Sequence, residues 1–404
     1  MVACSSLSSE FLTSRLVRFI GDYLRGGAVS VGQTWSIFNL SGTISLLAIG
    51  PLIDRFGPRK LMLVGIPMAG IGFILLRFAD SIIALNIVLG GLLGIGIKAG
   101  FLLPAQTATA NWFVRKRSLA LALVMTASVL GKAFITSPSE QAAGQPDWRI
   151  ALVWLGVGIL AIGVPLALVF KHRPEQYGKL PDGNTLVSDG ETNSRTEATD
   201  STIEVNFTVW QALKTRTFWL LTIASSLSAG IFSIVNIYRF IYLQQEAGFG
   251  RANVADIIQL IPVMGIAGIL IFGYLGDRLP KRYLLAAAVL IQSASVLIMM
   301  AAGNTFHLYL YAVVFGLGSG TVPLLLAIRA DYFGRKAFAT ITVVMTFLSG
   351  LIGILFSFLA PLAGWLLDIS GSYELVFLLT MLLGLIPAAI FLLARPQKES
   401  SLSP

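Results

Sequence analysis

Charged residues are scarce in this sequence of 404 residues, since Asp, Glu, Lys and Arg together make up 12%. An average soluble domain carries about 25%, because it needs a polar surface. The shortage therefore excludes an ordinary soluble fold and favours a chain surrounded by lipid. Hydrophobic residues make up 55% and form continuous runs of about 20 residues, the length that crosses a bilayer as a helix. Continuous runs argue against a spanning β-barrel, whose strands alternate in polarity.

Cysteine and histidine are nearly absent. Cys4 is the single cysteine, which excludes a disulfide within the chain, and the two histidines, His172 and His307, are far apart in the sequence. Because the sequence offers no cluster of metal ligands and no phosphate-binding loop, it predicts neither a metal site nor a cofactor. No nucleophile and base form a catalytic pattern, so an enzyme is not expected.

The formal net charge is +9, but its distribution argues against nucleic acid as a partner. The basic residues sit in short loops between the apolar runs, where they set the orientation of membrane helices. The expected partner is therefore the lipid bilayer, and we expect a monomer. Most Lys and Arg residues fall on one side, together with a central polar stretch and the C-terminus. That side is predicted to be cytoplasmic in a multi-pass protein of the cell (plasma or inner) membrane.

Eleven apolar runs predict eleven membrane-spanning helices. They cover residues 31–53, 61–79, 82–109, 118–140, 149–170, 218–243, 254–276, 283–302, 306–329, 338–364 and 373–394. The stretch between the fifth and sixth runs is rich in Ser, Thr, Gly, Asp and Glu and cannot bury enough apolar surface to fold. We therefore expect an N-terminal transmembrane bundle at 1–170, a flexible cytoplasmic linker at 171–212 and a C-terminal transmembrane bundle at 213–404.

The sequence contains an internal repeat. GPLIDRFGPRK at 50–60 matches GYLGDRLPKRY at 273–283 at an offset of 223 residues, and NWFVRK at 111–116 matches DYFGRK at 331–336 at an offset of 220. Several motifs in one order at nearly one offset indicate two parallel repeats. Glycines spaced for close helix packing recur in both halves. They are Gly90, Gly94, Gly96 and Gly100 in the first half, and Gly316 and Gly320 in the second.

The repeat also predicts a twelfth span near residues 1–24, but this segment carries Glu10, Arg15, Arg18 and Asp22. One charge at the centre of a spanning helix costs about 2.5–3.5 kcal/mol. We therefore expect a short or degenerate first helix. A truncated first helix and an interfacial helix remain open as alternatives.

The first copy of the motif resembles the loop signature of the major facilitator superfamily. It contains Gly50, Leu52, Asp54, Arg55, Gly57, Arg59 and Lys60, whereas the second copy has Pro280 in place of the second glycine. The resemblance implies a major facilitator fold, an all-α membrane protein with two six-helix bundles related by a pseudo-twofold axis. It also implies transport by alternating access.

Further stretches are similar to bacterial monocarboxylate-porter-like and oxalate/formate antiporter-type members of that superfamily. These stretches are NWFVRKRSLALAL, DWRIA, RPEQYGKLPDG, FWLLTIASSL, ADYFGRK and PLAGWLLD followed by SGSYE. Together they run across nearly the whole chain from residue 29. This resemblance implies small organic anions as substrates.

The two motif copies are predicted to gate the transporter. A carboxylate near a helix N-terminus is stabilised by the exposed N–H groups and the helix dipole, and charge pairs there would latch the two bundles on the cytoplasmic face. The alternative is that the basic residues only set topology. The predicted gating residues are Gly50, Asp54, Arg55, Gly57, Arg59, Lys60, Asp277, Arg278 and Arg282.

Cations inside the spans are the candidates for substrate binding, because charges in a membrane are costly and usually face a cavity. The predicted residues are Lys98, Lys132 and Arg239, with Tyr238 and Asn236 beside Arg239. A basic pocket between the repeats would attract an anion, and Arg grips a carboxylate with two N–H groups. The alternative for Lys132 and Arg239 is that their charged ends reach the membrane surface.

No carboxylate lies deep in the eleven predicted spans. The resemblance to monocarboxylate porters implies an Asp–Arg pair in the eighth span, but the middle of 254–276 has neither residue. Glu10 and Asp22 are candidates for proton coupling only if the N-terminal segment spans the membrane. Otherwise coupling would use a proton carried on the substrate acid, or a counter-anion. Two other functions stay open. One is an exporter of neutral or cationic solutes such as drugs, and the other is a non-transporting relic or sensor on the same scaffold.

Overall fold

A computed structural model describes residues 28–141, 148–183, 206–357 and 359–396. Within these ranges the chain forms helices and connecting turns without a β-strand. This agrees with the predicted all-α fold and follows from the apolar composition, because a chain in lipid must satisfy its backbone hydrogen bonds internally. The predicted first helix, near residues 1–24, lies outside the described residues.

The first half of the chain forms five long helices. They are α1 (Ala28–Phe56), α2 (Pro58–Leu76), α3 (Ile82–Trp112), α4 (Arg117–Gln141) and α5, which starts at Trp148–Gly158 and continues through a π-helical turn at Ile159–Gly163 into Val164–Val169. Two further π-helical turns, Val88–Gly94 and Lys98–Leu102, interrupt α3.

The second half follows the same plan. Its helices are α6 (Val209–Leu213), α7 (Arg216–Gln245), α8 (Arg251–Gly276), α9 (Lys281–Met300), α10 (Thr305–Phe333, with a turn after Gly318), α11 (Phe338–Ser357), α12 (Leu359–Ser370) and α13 (Tyr373–Leu393, interrupted at Gly384). The short helix α6 lies in the predicted linker and has a capping box formed by Thr208 and Gln211.

The described residues contain nine helices that are long and apolar enough to cross a membrane, and two shorter apolar helices, Arg117–Leu130 and Phe338–Gly353. Together they correspond to the eleven predicted spans. The predicted flexible linker differs at its start, where Pro174–Tyr177 and Pro181–Gly183 form single helical turns. Residues 184–205 of that linker lie outside the described residues.

Two compact units divide the chain. The described part of the first comprises residues 28–115, 124–141, 148–183 and 335–343, and that of the second comprises 116–123, 206–334, 344–357 and 359–396. The start of α4 thus belongs to the second unit, and the start of α11 belongs to the first. The division therefore follows the two sequence repeats except at these two helix starts.

Each unit is held together by close helix packing. In the first unit, a Cβ atom at Gly65 of α2 would lie 2.3 Å from the Gly100 nitrogen of α3. In the second, a Cβ atom at Gly320 of α10 would lie 2.4 Å from the Gly268 carbonyl carbon of α8. The predicted small-residue contacts thus occur in both units, because a missing side chain lets two backbones touch.

Candidate functional site

The motif loop at the end of α1 caps the start of α11, a helix far away in the sequence. The Asp54 carboxylate accepts hydrogen bonds from Ala339 N at 3.1 Å and Thr340 N at 2.8 Å, and the Thr340 hydroxyl donates another at 2.5 Å. The first amides of a helix lack partners within it and carry the positive end of its dipole. A carboxylate in this position stabilises the start of α11 within the first unit.

Two glycines of the motif give the loop its shape. A Cβ atom at Gly50 would lie 3.1 Å from the Thr340 Cα, so the missing side chain lets α1 approach the start of α11. Gly57 has a φ of +88°, which other residues rarely adopt, and a Cβ atom there would lie 2.8 Å from the His172 ring. Both predicted gating glycines are therefore explained by geometry.

The basic residues of the first motif differ from Asp54, because their side chains have no comparable hydrogen bonds within the described ranges. Arg55 and Lys60 are exposed and approach the Phe56 ring, at 5.3 and 6.0 Å from its centroid. Arg59 is half-buried. None of the three basic residues forms an ion pair with another residue of the described ranges. Their positions suit the headgroup region on the side of the membrane where the loops carry most of the Lys and Arg residues.

The second copy of the motif caps the start of α4 within the second unit. Asp277 accepts hydrogen bonds from Ser118 N at 2.8 Å and Leu119 N at 3.1 Å. A Cβ atom at Gly273 would lie 2.4 Å from the Ala122 Cβ, so the close helix approach recurs. The two copies thus share one arrangement, a carboxylate on the first amides of another helix.

Two predicted gating arginines of the second copy stack on neighbouring rings. The Arg278 Cζ lies 4.2 Å from the centroid of Tyr274, and the Arg282 Cζ lies 4.7 Å from that of Tyr283. The Arg282 guanidinium also donates a hydrogen bond to the Tyr283 hydroxyl at 2.8 Å. These contacts hold the two arginines by cation–π attraction, and neither arginine forms an ion pair with another residue of the described ranges.

Asp331 was missed by the sequence analysis and forms an ion-pair cluster in the second unit. Its Oδ1 lies 2.5 Å from Arg117 Nη1, and its Oδ2 lies 2.6 Å from Lys281 Nζ. The Arg117 side chain is only 3% exposed, so the pair satisfies a charge that would be costly to bury alone. The repeat could have identified this residue. Asp331 is the acidic residue of DYFGRK, whereas the equivalent residue of NWFVRK is the uncharged Asn111.

The first unit has a corresponding contact with different chemistry. Arg335 Nη1 donates a hydrogen bond to the Asn111 carbonyl oxygen at 2.8 Å, and Arg335 Nη2 lies 3.1 Å from Glu175 Oε1. Glu175 belongs to the start of the predicted linker, which therefore takes part in the site. Sequence reasoning missed this pair because it assigned the segment to a flexible linker.

His172 lies beside this contact and against Gly57 of the motif. Its backbone carbonyl accepts a hydrogen bond from the Asn111 amide at 3.3 Å. Burial lowers the pKa of the His172 imidazole, Arg173 lowers it further, and Glu175 partly offsets both effects. Together these effects favour the neutral form of the ring over the charged one.

Lys98 lies within α3 at the start of the second π-helical turn. It is half-buried, and a Cβ atom at Gly42 of α1 would lie 3.3 Å from its Cε and 3.5 Å from its Cγ. Its aliphatic stem therefore runs along α1. The ammonium forms no ion pair with another described residue, so the first unit carries a span cation that an anion could neutralise.

Arg239 is a span cation of the second unit, at a position that the repeat does not match to Lys98. Its Cζ lies 5.7 Å from the Phe315 ring centroid, and the fully buried Tyr311 lies beside it. Its Nε and Nη1 atoms are buried and have no hydrogen-bond partner within the described ranges. A guanidinium with two unoccupied N–H groups is suited to hold a carboxylate.

The two predicted companions of Arg239 take different positions. Asn236 lies three residues earlier, on the same face of α7, and its amide donates a hydrogen bond to the Phe232 carbonyl oxygen at 2.9 Å. Tyr238 instead packs against Tyr373, with 6.0 Å between ring centroids. The structure thus brings Asn236 near Arg239 along the helix and directs Tyr238 toward another contact.

The remaining predicted cation is Lys132, which lies in α4. Its side chain is outside the described residues. A further cation, Arg329 of α10, was missed because the predicted span ended at that residue, whereas the helix continues to Phe333. No group of three or more His, Cys, Asp or Glu side chains that could hold a metal ion occurs in the described part of the chain.

Comparison with known proteins gives these features a context. The sequence profile of the Major Facilitator Superfamily matches residues 1–357 and 260–404. The Escherichia coli protein named "Uncharacterized MFS-type transporter YhjX" is 22% identical over 361 residues, which are 82% of this chain and 84% of that protein.

Two other relatives carry names that mention a substrate. "Monocarboxylate transporter 12-B" of Danio rerio is 26% identical over 398 residues, 92% of this chain and 82% of that protein. "Probable sulfoacetate transporter SauU" of Cupriavidus necator is 26% identical over 364 residues, 87% of this chain and 81% of that protein. These matches confirm the predicted resemblance to monocarboxylate porters.

A solved structure shares the fold. The crystal structure of the E. coli fucose:proton symporter FucP superposes with a TM-score of 0.66 at 16% sequence identity, covering 98% of each chain. The predicted major facilitator fold is thereby confirmed.

Proposed function

The chain belongs to the Major Facilitator Superfamily, and from that premise we propose that it is a secondary transporter of small organic anions of the monocarboxylate type. The observation that carries the proposal is the pair of span cations Lys98 and Arg239, one in each unit, which form no ion pair with a described carboxylate. An uncompensated cation inside a membrane is costly. A transported anion would supply the missing charge.

The names of the relatives support the same class of substrate, since monocarboxylates and sulfoacetate are both small organic anions. The acidic residues in the described spans lie close to helix ends, as Asp54, Asp256 and Asp331 do. A carrier of cations would need acids deeper in its spans. The anion is therefore the better supported substrate, and export of neutral or cationic solutes is the second candidate.

The two capped helix starts would serve as latches in alternating access. Asp54 holds the start of α11 and Asp277 holds the start of α4 through hydrogen bonds to backbone amides. A conformational change that moves either helix start away must break these bonds, so the two aspartates bias the equilibrium between access states. The motif residues Arg55, Arg59, Lys60, Arg278 and Arg282 would hold this side in the cytoplasmic headgroup region of the cell membrane.

Coupling would involve a proton carried by the substrate acid or the exchange of one anion for another. Within the described spans no carboxylate lies deep enough to act as a separate proton carrier. Exchange is the simpler mode to test, since it needs no pH gradient.

Counterflow in proteoliposomes tests the proposal. Proteoliposomes that contain the purified protein are loaded with unlabelled small carboxylates, and the uptake of a labelled carboxylate from outside is followed. Lys98→Gln and Arg239→Gln should each raise KM by about tenfold or more, because a charged hydrogen bond contributes about 1.5–3 kcal/mol. Lys214→Gln and Arg216→Gln, which remove exposed cations, are the matched controls. Folded protein that takes up no organic acid would refute the proposal.

A further inference from the structure

Arg329 is a buried arginine that no part of the proposed mechanism uses. It lies in α10, one helical turn before the end of the helix at Phe333, and is only 7% exposed. Its Nη1 donates a long hydrogen bond, 3.4 Å, to the Thr346 hydroxyl of α11, and its Nε is buried without a hydrogen-bond partner in the described ranges. No carboxylate of the described residues pairs with it.

The second unit contains a direct contrast in Arg117. Arg117 is similarly buried, at 2% exposed, but it pairs with Asp331 at 2.5 Å. Burying a guanidinium without a counter-charge is unfavourable, because its lost hydration is not replaced. Within one unit the fold thus supplies a carboxylate to one buried arginine, whereas no carboxylate of the described residues pairs with the other.

The first unit has no arginine at the position equivalent to Arg329. At the offset of 220 residues, Arg329 corresponds to Thr109, and Thr346 corresponds to Thr126. Both positions in the first unit therefore carry a threonine. The arginine is specific to the second unit, where its N–H groups lie beside a hydroxyl, a combination of donors that suits an oxyanion.

The depth of Arg329 differs from that of Arg239. The Arg239 guanidinium contacts Phe315 on α10, and Arg329 lies fourteen residues further along the same segment, roughly 20 Å at the rise of a helix. Beyond Arg329 the chain enters the basic loop with Arg335 and Lys336. Arg329 therefore lies near the proposed cytoplasmic end of the unit, and Arg239 lies toward the opposite end.

We propose that Arg329 and Thr346 form a second binding site for a small carboxylate, at the proposed cytoplasmic end of the second unit. The site holds the anion as it enters from or leaves to that side, while Arg239 serves the other end. The inference rests on the proposed function for the identity of the ligand. It adds a second binding site that neither the sequence repeat nor the names of the relatives indicate.

The first test is thermal unfolding of purified protein, with acetate and oxalate as probes and chloride as the reference anion. Arg329→Met keeps an unbranched apolar stem of similar shape and removes the guanidinium with its charge. We expect it to melt at or above the wild-type temperature in chloride, because an unpaired buried charge is gone. We also expect it to lose most of the rise in melting temperature that carboxylates give the wild type. Arg216→Met, at an exposed position, should keep that rise.

The second test is the sidedness of transport. Arg329→Met should raise KM measured from the proposed cytoplasmic side by about tenfold or more, as expected for a lost charged hydrogen bond, and affect the other side less. Arg239→Met should show the reverse. Arg329→Lys, which keeps the charge, should recover part of the affinity.

The outcomes separate the two proposals. If the wild type transports carboxylates and Arg329→Met melts lower, keeps the carboxylate-dependent rise and shows unchanged KM on both sides, Arg329 is structural and the second site is refuted. If the wild type transports no carboxylate, the proposed function fails. In that case a carboxylate-dependent rise that disappears in Arg329→Met still supports the site, and the absence of such a rise in the wild type overturns it.

Discussion

In the first unit Asp54 accepts hydrogen bonds from two backbone amides and from the Thr340 hydroxyl, whereas in the second unit Asp277 has two backbone amides, Ser118 N and Leu119 N. The Ser118 hydroxyl has no hydrogen-bond partner within the described ranges. Both copies of the motif therefore place a carboxylate on a helix start, and among the described contacts only Asp54 also accepts a hydrogen bond from a hydroxyl.

The surroundings of the two caps differ more strongly. The second unit has Asp331, which pairs with Arg117 and Lys281. The first unit has Asn111 at the matching position, and Arg335 reaches its backbone carbonyl. With an amide at this position, the described contacts of the first unit include one ion pair, between Arg335 and Glu175, whereas the Asp331 carboxylate forms two in the second unit. The comparison teaches that geometry and electrostatics can diverge separately after duplication.

The largest expected effect follows from giving the second unit the residue of the first. Asp331→Asn removes the partner of buried Arg117, and breaking a buried pair typically costs about 3–5 kcal/mol. We expect a large decrease in the melting temperature of the purified protein.

A double variant sharpens this prediction. Arg117 corresponds to Ala337 at the offset of 220 residues, so Asp331→Asn with Arg117→Ala reproduces the first unit's pair of residues. It should recover much of the lost stability, because no buried charge is left unpaired. A double variant as unstable as the single one would show that the ion pair is not the source of the loss.

The two caps themselves should differ by about one hydrogen bond. Asp54→Asn should slow counterflow more than Asp277→Asn, by about tenfold or more, since a hydrogen bond to a charged group contributes about 1.5–3 kcal/mol. When each cap variant is combined with Thr340→Val in a double-mutant cycle, the difference between Asp54→Asn and Asp277→Asn should disappear. Asp256→Asn, at an exposed position near the start of α8, is the control. Equal effects of the two cap variants would contradict the comparison.

The pH dependence of stability should be specific to the first unit. Because the pKa of His172 is lowered in the folded state, the unfolded chain binds more protons there, and stability falls as pH drops below about 6.5. In the second half, ARP at 394–396 matches HRP at 172–174, so Ala394 takes the place of His172. His172→Ala should reduce the difference in melting temperature between pH 7.5 and 5.5, and His307→Ala should not. An unchanged pH dependence in His172→Ala would remove His172 from this account.

The smallest effect is expected at the first unit's exposed ion pair. The Glu175 side chain is 44% exposed, and Arg335 keeps its bond to the Asn111 carbonyl without it. Glu175→Gln should therefore cost less than about 1 kcal/mol. High salt should lower the wild-type melting temperature toward that of the variant. A loss comparable to that of Asp331→Asn would mean that the two units do not differ as proposed.

Much of the fold could be predicted because the membrane makes its constraints local. Eleven apolar runs of sufficient length gave eleven helices, since lipid requires each span to satisfy its own backbone. The repeat likewise placed Asp54 and Asp277 at equivalent positions of the two motif copies. The helix starts that they cap were not predictable, because the partner amides lie 286 and 159 residues away in the sequence.

The candidate site was predicted less completely. Lys98 and Arg239 could be singled out because a charge inside an apolar run is conspicuous, and their role in substrate binding stays a prediction. Arg329 lies near the end of such a run, where a basic residue is ordinary, and only its burial distinguishes it. Glu175 was missed because a polar segment was taken as flexible, although part of it folds against the end of α3, where the Asp182 carboxylate accepts a hydrogen bond from Arg115 N at 2.9 Å.

The π-helical turns of α3 have a consequence for how this helix tolerates changes in length. Each residue advances an α-helix by about 100°, so a residue added to or removed from a regular helix rotates everything after it. A turn with i→i+5 hydrogen bonds accommodates one residue more than an α-turn. Removing one residue from Val88–Gly94 would therefore restore an ordinary α-turn and leave the downstream part of the helix, with Lys98, in its present orientation. A single codon deletion at this point is thus absorbed locally.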